Sequence, residues 1–359
     1  MAYRAGIVGA SGYGGVELVR LLTSHPGIDV EVVAAHGQAG EPVANLFPNL
    51  AGDRHFDAID PDELAALDVV FLATPHGPAL DLGAVLHDAG TRVVDLSAAF
   101  RLSADGFGTW YHDVHPRPDL AAGDDAAATS TVYGLPELPD PVGGARDAGG
   151  ATLRDRIREA TLVANPGCYP TATLLGLAPL ASLIEPGTIV VDAKSGTSGA
   201  GRPAKDHLHF SHVHGDLVTY GAPAHRHTGE IERWLPAGLG AITFTPHLVP
   251  MSRGLLATCY GKLVDGTSAT DVQDALHSAY DHEPFVHVLA SGTFPHTKAL
   301  AGSNGCQLSA VADDRTGRVT VTSAIDNLGK GAAGQAIQNA NLLLGLEETT
   351  GLTAIGMYP

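Results

Sequence analysis

The segment around Cys168 combines the residue types that covalent catalysis needs. An apolar run from Ala160 to Ala164 predicts a strand, and Asn-Pro-Gly at 165–167 predicts a sharp turn after it. The Ala- and Leu-rich stretch from Pro170 to Leu183 predicts a helix with proline in its first turn. Cys168 is therefore expected beside a helix N-terminus, where the unpaired N–H groups and the helix dipole favour the nucleophilic thiolate.

Cysteines also have a plainer interpretation, because most that form no disulfide are small buried hydrophobes. We give that interpretation to Cys259 and Cys306, which lie in apolar or β-like runs, while the turn favours a nucleophile at Cys168. The 3 cysteines in 359 residues cannot form a disulfide framework, so a reducing cytoplasm is the expected compartment.

A glycine-rich turn near the N-terminus predicts a dinucleotide site. Ala2 to Val8 predicts a strand, Gly9, Gly12 and Gly15 punctuate the turn after it, and Val16 to Leu22 predicts a helix. Glycines let the backbone approach a pyrophosphate, and the helix N-terminus stabilises its charge. A tight turn without a ligand is the alternative.

The end of the second predicted strand, Val30 to Ala35, bears on the choice of nicotinamide cofactor. NAD sites carry an acidic residue here that binds the ribose 2′-OH, and residues 36–40 contain none. We therefore predict NADP, although no arginine stands at these positions either. His36 and Gln38 could contact the 2′-phosphate, and a solvated loop is the alternative.

Two regions could bind a substrate anion in this acidic chain. Arg101 lies just past the predicted strand Arg92 to Leu96, and ligands of parallel sheets bind at the carboxyl ends of strands. A surface salt bridge is the alternative for Arg101. The glycine-rich loop 195–201 could lie against a sugar–phosphate or a nicotinamide, and Arg202 and Lys205 add positive charge beside it. A flexible crossover loop is the alternative there.

Histidines are concentrated in the segment that follows. The irregular spacing of His207, His209, His212 and His214, without a fixed carboxylate, does not predict a metal site. His225 and His227 come just before a short predicted helix, Gly229 to Leu235, with Thr228 as its N-cap. Either histidine could serve as acid/base for Cys168, and the residues do not decide between them.

The order of elements predicts two domains. Alternating strands and helices in the first part predict a Rossmann-type parallel sheet, and the second part predicts an α+β domain with a large mixed or antiparallel sheet. We place the first domain at residues 1–164 plus 328–359 and the second at 165–327. Gly/Ala/Asp-rich stretches at 123–130 and 140–150 predict surface insertions.

Composition excludes several classes of partner. The formal net charge of −18 argues against nucleic acid and anionic membranes. No apolar run reaches membrane-spanning length, and the N-terminus lacks a signal-peptide pattern. Taken together, a dinucleotide, an activated cysteine, a histidine and anion-binding cations predict interconversion of an acyl phosphate and an aldehyde through a cysteine thioester.

The chain also resembles a known family, N-acetyl-γ-glutamyl-phosphate reductase of arginine biosynthesis, related to aspartate-semialdehyde dehydrogenase. The resemblance covers nearly the whole chain and rests on motifs in the same order. These are GASGYGG at 9–15, PHG at 75–77, DLSAAFRL at 95–102, YGLPEL at 133–138, NPGCYPT at 165–171, SGTSGAG at 195–201, HRHTGEI at 225–231, PMSRGLLAT at 250–258 and DNLGKGAAGQAIQ at 326–338.

The resemblance implies a role for each matched position. Cys168 would be the nucleophile, with the acid/base from His225 or His227, and no metal. NADP(H) would be bound by Gly9, Ser11, Gly12, Tyr13, Gly14, Gly15, Pro75, His76, Ser195, Gly196, Ser198, Gly199, Asn327, Lys330 and Gly331. To these we add His36, from its place after the second predicted strand and not from the resemblance. The acyl phosphate would be bound by Ser97, Arg101, Asn165, Lys205 and Arg253. The last helix would fold back onto the cofactor domain, and the second domain would pair subunits into a homodimer or homotetramer.

The sequence departs from the family pattern at two positions, and three other functions are alternatives to this assignment. Many family members carry Ser-Arg where this chain has Ala35-His36, and proline is frequent where it has Gly229. The nearest rival is a reductase for aminoadipyl phosphate held on a small acidic carrier protein in lysine synthesis. A non-catalytic nucleotide-sensing protein and a histidine-dependent metallohydrolase are rivals from other classes.

Overall fold

The computed structural model of the chain describes residues 2–50, 52–122, 131–140, 152–236 and 238–358. The chain divides into two compact units. The first contains Met1–Pro136, Leu153–Gly167 and Ala332–Leu352, and the second contains Glu137–Thr152, Cys168–Gly331 and Thr353–Pro359. The predicted insertions lie outside the described residues, apart from Asp140. Within the described ranges, no helix is long and apolar enough to cross a bilayer.

The first unit is built on a six-stranded, fully parallel sheet in the order β2-β1-β3-β4-β6-β5. Its elements are β1 (Tyr3–Val8), α1 (Tyr13–Leu22), β2 (Ile28–Ala34), α2 (Val43–Leu46), α3 (Pro61–Ala65), β3 (Val69–Leu72), α4 (His76–Asp88), β4 (Arg92–Asp95), α5 (Ala104–Tyr111), β5 (Thr131–Tyr133), α6 (Leu153–Glu159), β6 (Leu162–Ala164) and α11 (Gly334–Leu343). The predicted Rossmann-type sheet is confirmed. Strands β3 and β6 are buried along their whole length, as a sheet covered on both faces requires.

The second unit is built on a seven-stranded mixed sheet in the order β11-β12-β13-β10-β7-β9-β8. Its elements are α7 (Cys168–Leu177), β7 (Val190–Gly196), α8 (Phe210–Val213), β8 (Val218–Thr219), α9 (His227–Trp234), β9 (Thr243–Val249), β10 (Leu255–Lys262), α10 (Ala269–Tyr280), β11 (Val286–Val288), β12 (Cys306–Asp313) and β13 (Arg318–Ile325). The β7–β9 and β11–β12 pairs are parallel and the others are antiparallel. The predicted mixed sheet is confirmed.

The C-terminal segment returns to the first unit through helix α11. All ten residues of α11 are buried, and the helix packs against α6, α1 and β4. Beyond it, Arg154 pairs with Glu348 at 2.7 Å, and Asn341 donates to the Glu348 and Thr350 carbonyls. A buried histidine completes this attachment, since His25 Nε2 lies 3.1 Å from both Asn341 Oδ1 and the Thr350 carbonyl.

We expect the His25 attachment to weaken in acid. Gly27 N–H donates to His25 Nδ1, so the neutral ring with its proton on Nε2 satisfies all of these contacts. Burial lowers the pKa of His25 below its ordinary value of 6.5, so the unfolded chain binds this proton more readily than the folded one. Stability from this group is therefore complete above pH 6.5 and is lost as the pH falls below it, by at most about 1.4 kcal/mol per pH unit.

Urea unfolding of the first unit, repeated between pH 8 and pH 5, measures how its free energy of unfolding changes with pH. His25→Gln keeps an amide N–H near the Nε2 position but cannot be protonated. The variant should show a shallower loss of stability in acid than the parent chain. Equal pH slopes for the two proteins would contradict the role given to His25.

Candidate active site

Cys168 is the first residue of α7 and is half-buried. The helix starts here because Asn-Pro-Gly turns the chain and Pro170 occupies the first turn, where its missing N–H is not needed. Tyr169–Leu177 are all buried, and α7 packs against β10 and β13, so the cysteine stands on a rigid base. A Cβ placed on Gly331 would lie 2.8 Å from Cys168 Cβ, so only glycine allows this close approach.

The turn that leads to Cys168 is anchored at Asn165. Asn165 N–H donates to the Asp95 carbonyl at 2.8 Å, and its own carbonyl accepts Arg101 Nε at 2.8 Å. Its side-chain amide donates to the Ala332 carbonyl at 3.2 Å and accepts from Asn339 Nδ2 at 3.0 Å. These bonds hold the Asn165 amide within its own unit, and contact of this side chain with the substrate stays a prediction.

Ser97 and Arg101 follow the carboxyl end of β4, where the sequence predicts them. Arg101 is 6 % exposed, and it also donates Nη2 to the Leu96 carbonyl at 2.8 Å. Ser97 Oγ donates to Asp95 Oδ2 at 2.8 Å and accepts Ala99 N–H at 3.0 Å. Burial raises the pKa of Asp95 to about 6. These bonds shape the loop, and contact of either side chain with a substrate anion stays a prediction.

His225 and His227 form an aromatic cluster with the residue after the cysteine. The Tyr169 ring centre lies 5.8 Å from each histidine ring, and the two histidine rings are 4.9 Å apart. Tyr220 and Phe244 each lie 5.4 Å from His225. The hydroxyls are ordered as well, since Tyr220 donates to the Tyr169 hydroxyl at 3.2 Å and Tyr169 donates to the His247 carbonyl at 3.0 Å.

The surroundings of His225 fix its protonation state and occupy one of its ring nitrogens. His225 Nδ1 accepts the backbone N–H of His227 at 3.2 Å, and burial with the nearby Arg226 charge lowers the pKa of His225 to about 4. His225 is therefore neutral near pH 7 with its acceptor nitrogen already used. Burial raises the pKa of Tyr220 to about 12, and the nearby charge of Cys168 adds to the rise. The cysteine, the tyrosines and the histidines thus belong to one electrostatic neighbourhood.

Helix α9 starts earlier than the sequence predicts. His227 is its first residue and Arg226 occupies the N-cap position, so the expected N-cap role of Thr228 is wrong. Thr228 N–H instead donates to the His225 carbonyl at 2.8 Å, within the first turn. The physical reason is that the His225 ring, rather than a threonine hydroxyl, meets the first free N–H of the helix.

The glycine-rich turn of the first unit fits a bound pyrophosphate. A Cβ on Gly15 would lie 2.4 Å from the Gly9 carbonyl oxygen, so α1 approaches β1 more closely than any side chain permits. A Cβ on Gly14 would meet no atom within 4 Å, so the turn is open on that side. Among the described residues no side chain caps α1, and its first turn holds no acidic residue. Each feature suits a phosphate at the helix N-terminus.

The other predicted cofactor residues of the first unit follow neighbouring strands. Ser11, Gly12 and Tyr13 continue the turn, exposed His36 comes after β2, and Pro75 and His76 come after β3 at the start of α4. The carboxyl ends of these parallel strands form one edge of the sheet, so these residues share that edge.

In the second unit, most of the remaining predicted cofactor residues lie in loops that hydrogen bonds connect to one another. Gly196 N–H donates to the Gly254 carbonyl, Ser198 N–H to the Ser252 carbonyl, and Asn327 Nδ2 to Ser198 Oγ at 2.9 Å. Ser195 is buried with its hydroxyl on the Gly196 carbonyl, and a Cβ on Gly199 would touch Ser195 Oγ.

Lys330 is a fully buried lysine of the second unit. Its side chain is 0 % exposed, its ammonium pairs with buried Glu137 at 2.5 Å, and it lies 5.6 Å from the Phe285 ring centre. The ammonium is enclosed within the second unit, and a contact of Lys330 with the cofactor stays a prediction. Ion pairing is what makes such a burial tolerable.

The candidate substrate cations of the second unit differ in burial. Lys205 is exposed. Arg253 Nε lies 2.9 Å from Oδ2 of fully buried Asp326, and the arginine side chain itself is 24 % exposed. His207, His209, His212 and His214 are exposed on the same surface segment as Lys205.

Several residues at the site escaped the sequence reasoning. Tyr169 and Asp326 stand inside quoted motifs, next to Cys168 and Asn327, and could have been found there as buried partners of the assigned residues. Tyr220, Phe244 and Asn339 give no local signal, because each contacts a site residue far away in the chain: Tyr169, His225 and Asn165 respectively. Cys259 and Cys306 are fully buried as expected, and burial raises the pKa of each thiol to about 12.

The parallel sheet with its glycine turn and the α+β unit that begins at a cysteine define a class, the semialdehyde dehydrogenases. Residues 4–142 match the family described as "Semialdehyde dehydrogenase, NAD binding domain". Residues 168–327 match "Semialdehyde dehydrogenase, dimerisation domain".

Full-length relatives narrow the assignment. The N-acetyl-gamma-glutamyl-phosphate reductase of Moorella thermoacetica is 44% identical over 365 residues, covering 99% of both chains. That of Cellvibrio japonicus is 45% identical over 367 residues, again covering 99% of both. That of a Cyanothece species is 46% identical over 364 residues, covering 99% of this chain and 97% of the other. The chain belongs to the N-acetyl-γ-glutamyl-phosphate reductase family.

Solved structures show the same fold at much lower identity. Aspartate semialdehyde dehydrogenase II of Vibrio cholerae is 14% identical with a TM-score of 0.69, covering 96% of this chain and 99% of that one. The Candida albicans enzyme, solved with NADP, is 17% identical with a TM-score of 0.68 and the same coverage.

Proposed function

We propose that this protein reduces N-acetyl-L-glutamyl 5-phosphate to N-acetyl-L-glutamate 5-semialdehyde and phosphate, with NADPH as the reductant. The observation that carries the proposal is Cys168 at the start of a buried helix, beside a Tyr169–His225–His227 cluster. The family of full-length relatives supports the choice of acyl phosphate.

The chemistry divides into two halves at the cysteine. His227 takes the proton of the Cys168 thiol, the thiolate attacks the acyl carbon, and phosphate leaves with that proton, which produces a thioester. Bound NADPH supplies the hydride that reduces the acyl group. The resulting tetrahedral oxyanion collapses to the aldehyde as the C–S bond breaks, and Cys168 regains a proton through His227.

We assign the proton transfer to His227 rather than His225. The neutral His225 ring, with Nδ1 accepting a backbone N–H and three aromatic rings around it, suits a positioning role. His227, as the first residue of α9, lies in the same cluster and is held by that ring.

Each unit contributes its own set of cofactor residues. In the first unit, Gly9, Ser11, Gly12, Tyr13, Gly14 and Gly15 would hold the pyrophosphate, with His36 toward the ribose 2′-phosphate and Pro75 and His76 beside them. In the second, Ser195, Gly196, Ser198, Gly199, Asn327 and Gly331 would contribute backbone and hydroxyl groups. Arg101, Ser97, Lys205 and Arg253 remain the candidates for the substrate's anionic groups.

The substrate separates this function from its nearest rival. We expect turnover of N-acetylglutamyl phosphate with NADPH and none of aminoadipyl phosphate held on a carrier protein. Steady-state rates with both acyl phosphates measure the difference. Turnover of the carrier-bound substrate alone would reject the proposal.

We also expect NADPH to be preferred over NADH, through His36. Exposed His36 follows β2, where an acidic residue would hold a free ribose 2′-OH. His36→Asp should lower kcat/KM for NADPH by about tenfold or more, because a carboxylate repels the 2′-phosphate and binds the hydroxyl instead. His36→Arg is the matched control and should keep or raise it. Equal preference in all three proteins would contradict the role of His36.

We propose a homodimer, or a homotetramer built from two such dimers, formed through the second unit. Helix α7 covers one face of its sheet, and side chains that alternate with the buried ones along β10 (Leu256, Thr258 and Tyr260) remain partly exposed. The matched family description supports this choice. Light scattering after size-exclusion chromatography distinguishes dimer, tetramer and monomer, and a monomer would reject the proposal.

A further inference from the structure

Asp326 is a fully buried carboxylate that the proposed chemistry leaves unassigned. It follows β13 and accepts backbone N–H groups from Gly302 at 2.5 Å, Leu328 at 2.9 Å and Gly329 at 3.2 Å. The same carboxylate also pairs with a cation, since Arg253 Nε donates to Oδ2 at 2.9 Å and to Oδ1 at 3.2 Å. A buried carboxylate with this many hydrogen-bond donors is stabilised and held in one orientation.

The pair is asymmetric in its exposure. Asp326 is 0 % exposed, whereas the Arg253 side chain is 24 % exposed. The carboxylate engages Nε, the guanidinium nitrogen nearest the backbone, and so fixes the plane of the group. A guanidinium has five N–H donors in one plane, so its fixed orientation also fixes where a second anion can bind.

The neighbouring residue holds the backbone of the same arginine loop. Asn327 Oδ1 accepts Gly254 N–H at 2.8 Å, and its Nδ2 donates to Ser198 Oγ at 2.9 Å. Thr197 N–H donates to the Met251 carbonyl at 2.9 Å, which ties the loop to the segment after β7. Asp326 therefore holds the Arg253 side chain, and its neighbour Asn327 holds the backbone of the same loop.

We propose that Asp326 is a positioning residue that aims Arg253 at the distal carboxylate of the substrate. The proposal rests on the proposed function, in which Arg253 is a substrate cation. Since a distal clamp contributes similar binding to the ground state and the transition state, its misplacement raises KM more than it lowers kcat. Asp326 acts through Arg253 and touches no reacting atom.

A double-mutant cycle tests this role. Arg253→Ala should raise KM for N-acetylglutamyl phosphate by about 30-fold and Asp326→Asn by about tenfold, each with a smaller change in kcat. The double variant should have the same KM as Arg253→Ala alone, because the effect of Asp326 on substrate binding passes through the arginine. The proposal would be overturned if the KM increases of the two single variants multiplied in the double variant. An unchanged KM in folded Asp326→Asn would also overturn it.

Thermal melting and NADP⁺ binding show whether Asp326→Asn folds. If it does not fold, a second variant tests the proposal. Arg253→Lys keeps the charge but has no planar fork for Asp326 to orient. It should raise KM by about tenfold, and a KM equal to that of the parent would overturn the proposal. Failure of the proposed function is distinguishable, because the parent protein would then not turn over N-acetylglutamyl phosphate at all.

Discussion

Replacing Cys168 by serine should abolish reductase activity, with a fall in kcat of about 10⁴-fold or more. Serine keeps the shape of the side chain, but its hydroxyl is far less acidic than a thiol at a helix N-terminus, so no acyl-enzyme forms at a useful rate. Cys168 stands at that N-terminus in the structure. Steady-state kinetics with NADPH oxidation as the signal measure the loss.

Cys259→Ala and Cys306→Ala are the matched controls for Cys168→Ser. Both thiols are fully buried, and burial raises the pKa of each to about 12, so neither is available as a thiolate near pH 7. We expect these variants to keep kcat within a few-fold of the parent, at some cost in stability. Retained activity in Cys168→Ser would show that the reaction does not pass through this sulfur.

Replacing His227 by asparagine should lower kcat by about 10²- to 10³-fold, the usual contribution of a positioned acid/base. The same change at His225 is the control, because an asparagine Oδ1 can still accept the His227 backbone N–H that His225 Nδ1 accepts now. His225→Asn should lower kcat by about tenfold or less, through looser packing against Tyr169 and Tyr220.

The pH dependence of kcat/KM gives an independent reading of the two histidines. Burial lowers the pKa of His225 to about 4, so titration of His225 falls well below neutral pH. The limb of the profile that reports the acid/base should therefore vanish in His227→Asn and persist in His225→Asn. The reverse pattern would move the acid/base role to His225.

Local sequence signals predicted the elements that carry the site. The Asn-Pro-Gly turn and Pro170 predicted a helix from Pro170, and the helix begins slightly earlier, at Cys168 itself. The glycine turn after β1 predicted the dinucleotide loop. Both signals depend on backbone conformation within a few residues. Apolar runs likewise located β1, β2 and β4 within a few residues of their ends.

Contacts over long stretches of chain could not be predicted in the same way. The motifs around Asn165 and Lys330 carry no sign that Asn339 bonds to the first residue or that Glu137 pairs with the second. The N-cap assigned to Thr228 failed for a related reason, since a ring two residues before the helix supplies the acceptor. Such pairings follow from packing, which a local pattern does not report.

Mass spectrometry of the trapped enzyme shows whether Cys168 carries the acyl group. The parent protein would be mixed with N-acetylglutamyl phosphate without NADPH, quenched in acid and digested. We expect one N-acetylglutamyl adduct, sensitive to hydroxylamine as a thioester is, on the peptide that contains Cys168. An adduct on another residue, or no adduct from a preparation that turns over when NADPH is added, would contradict it.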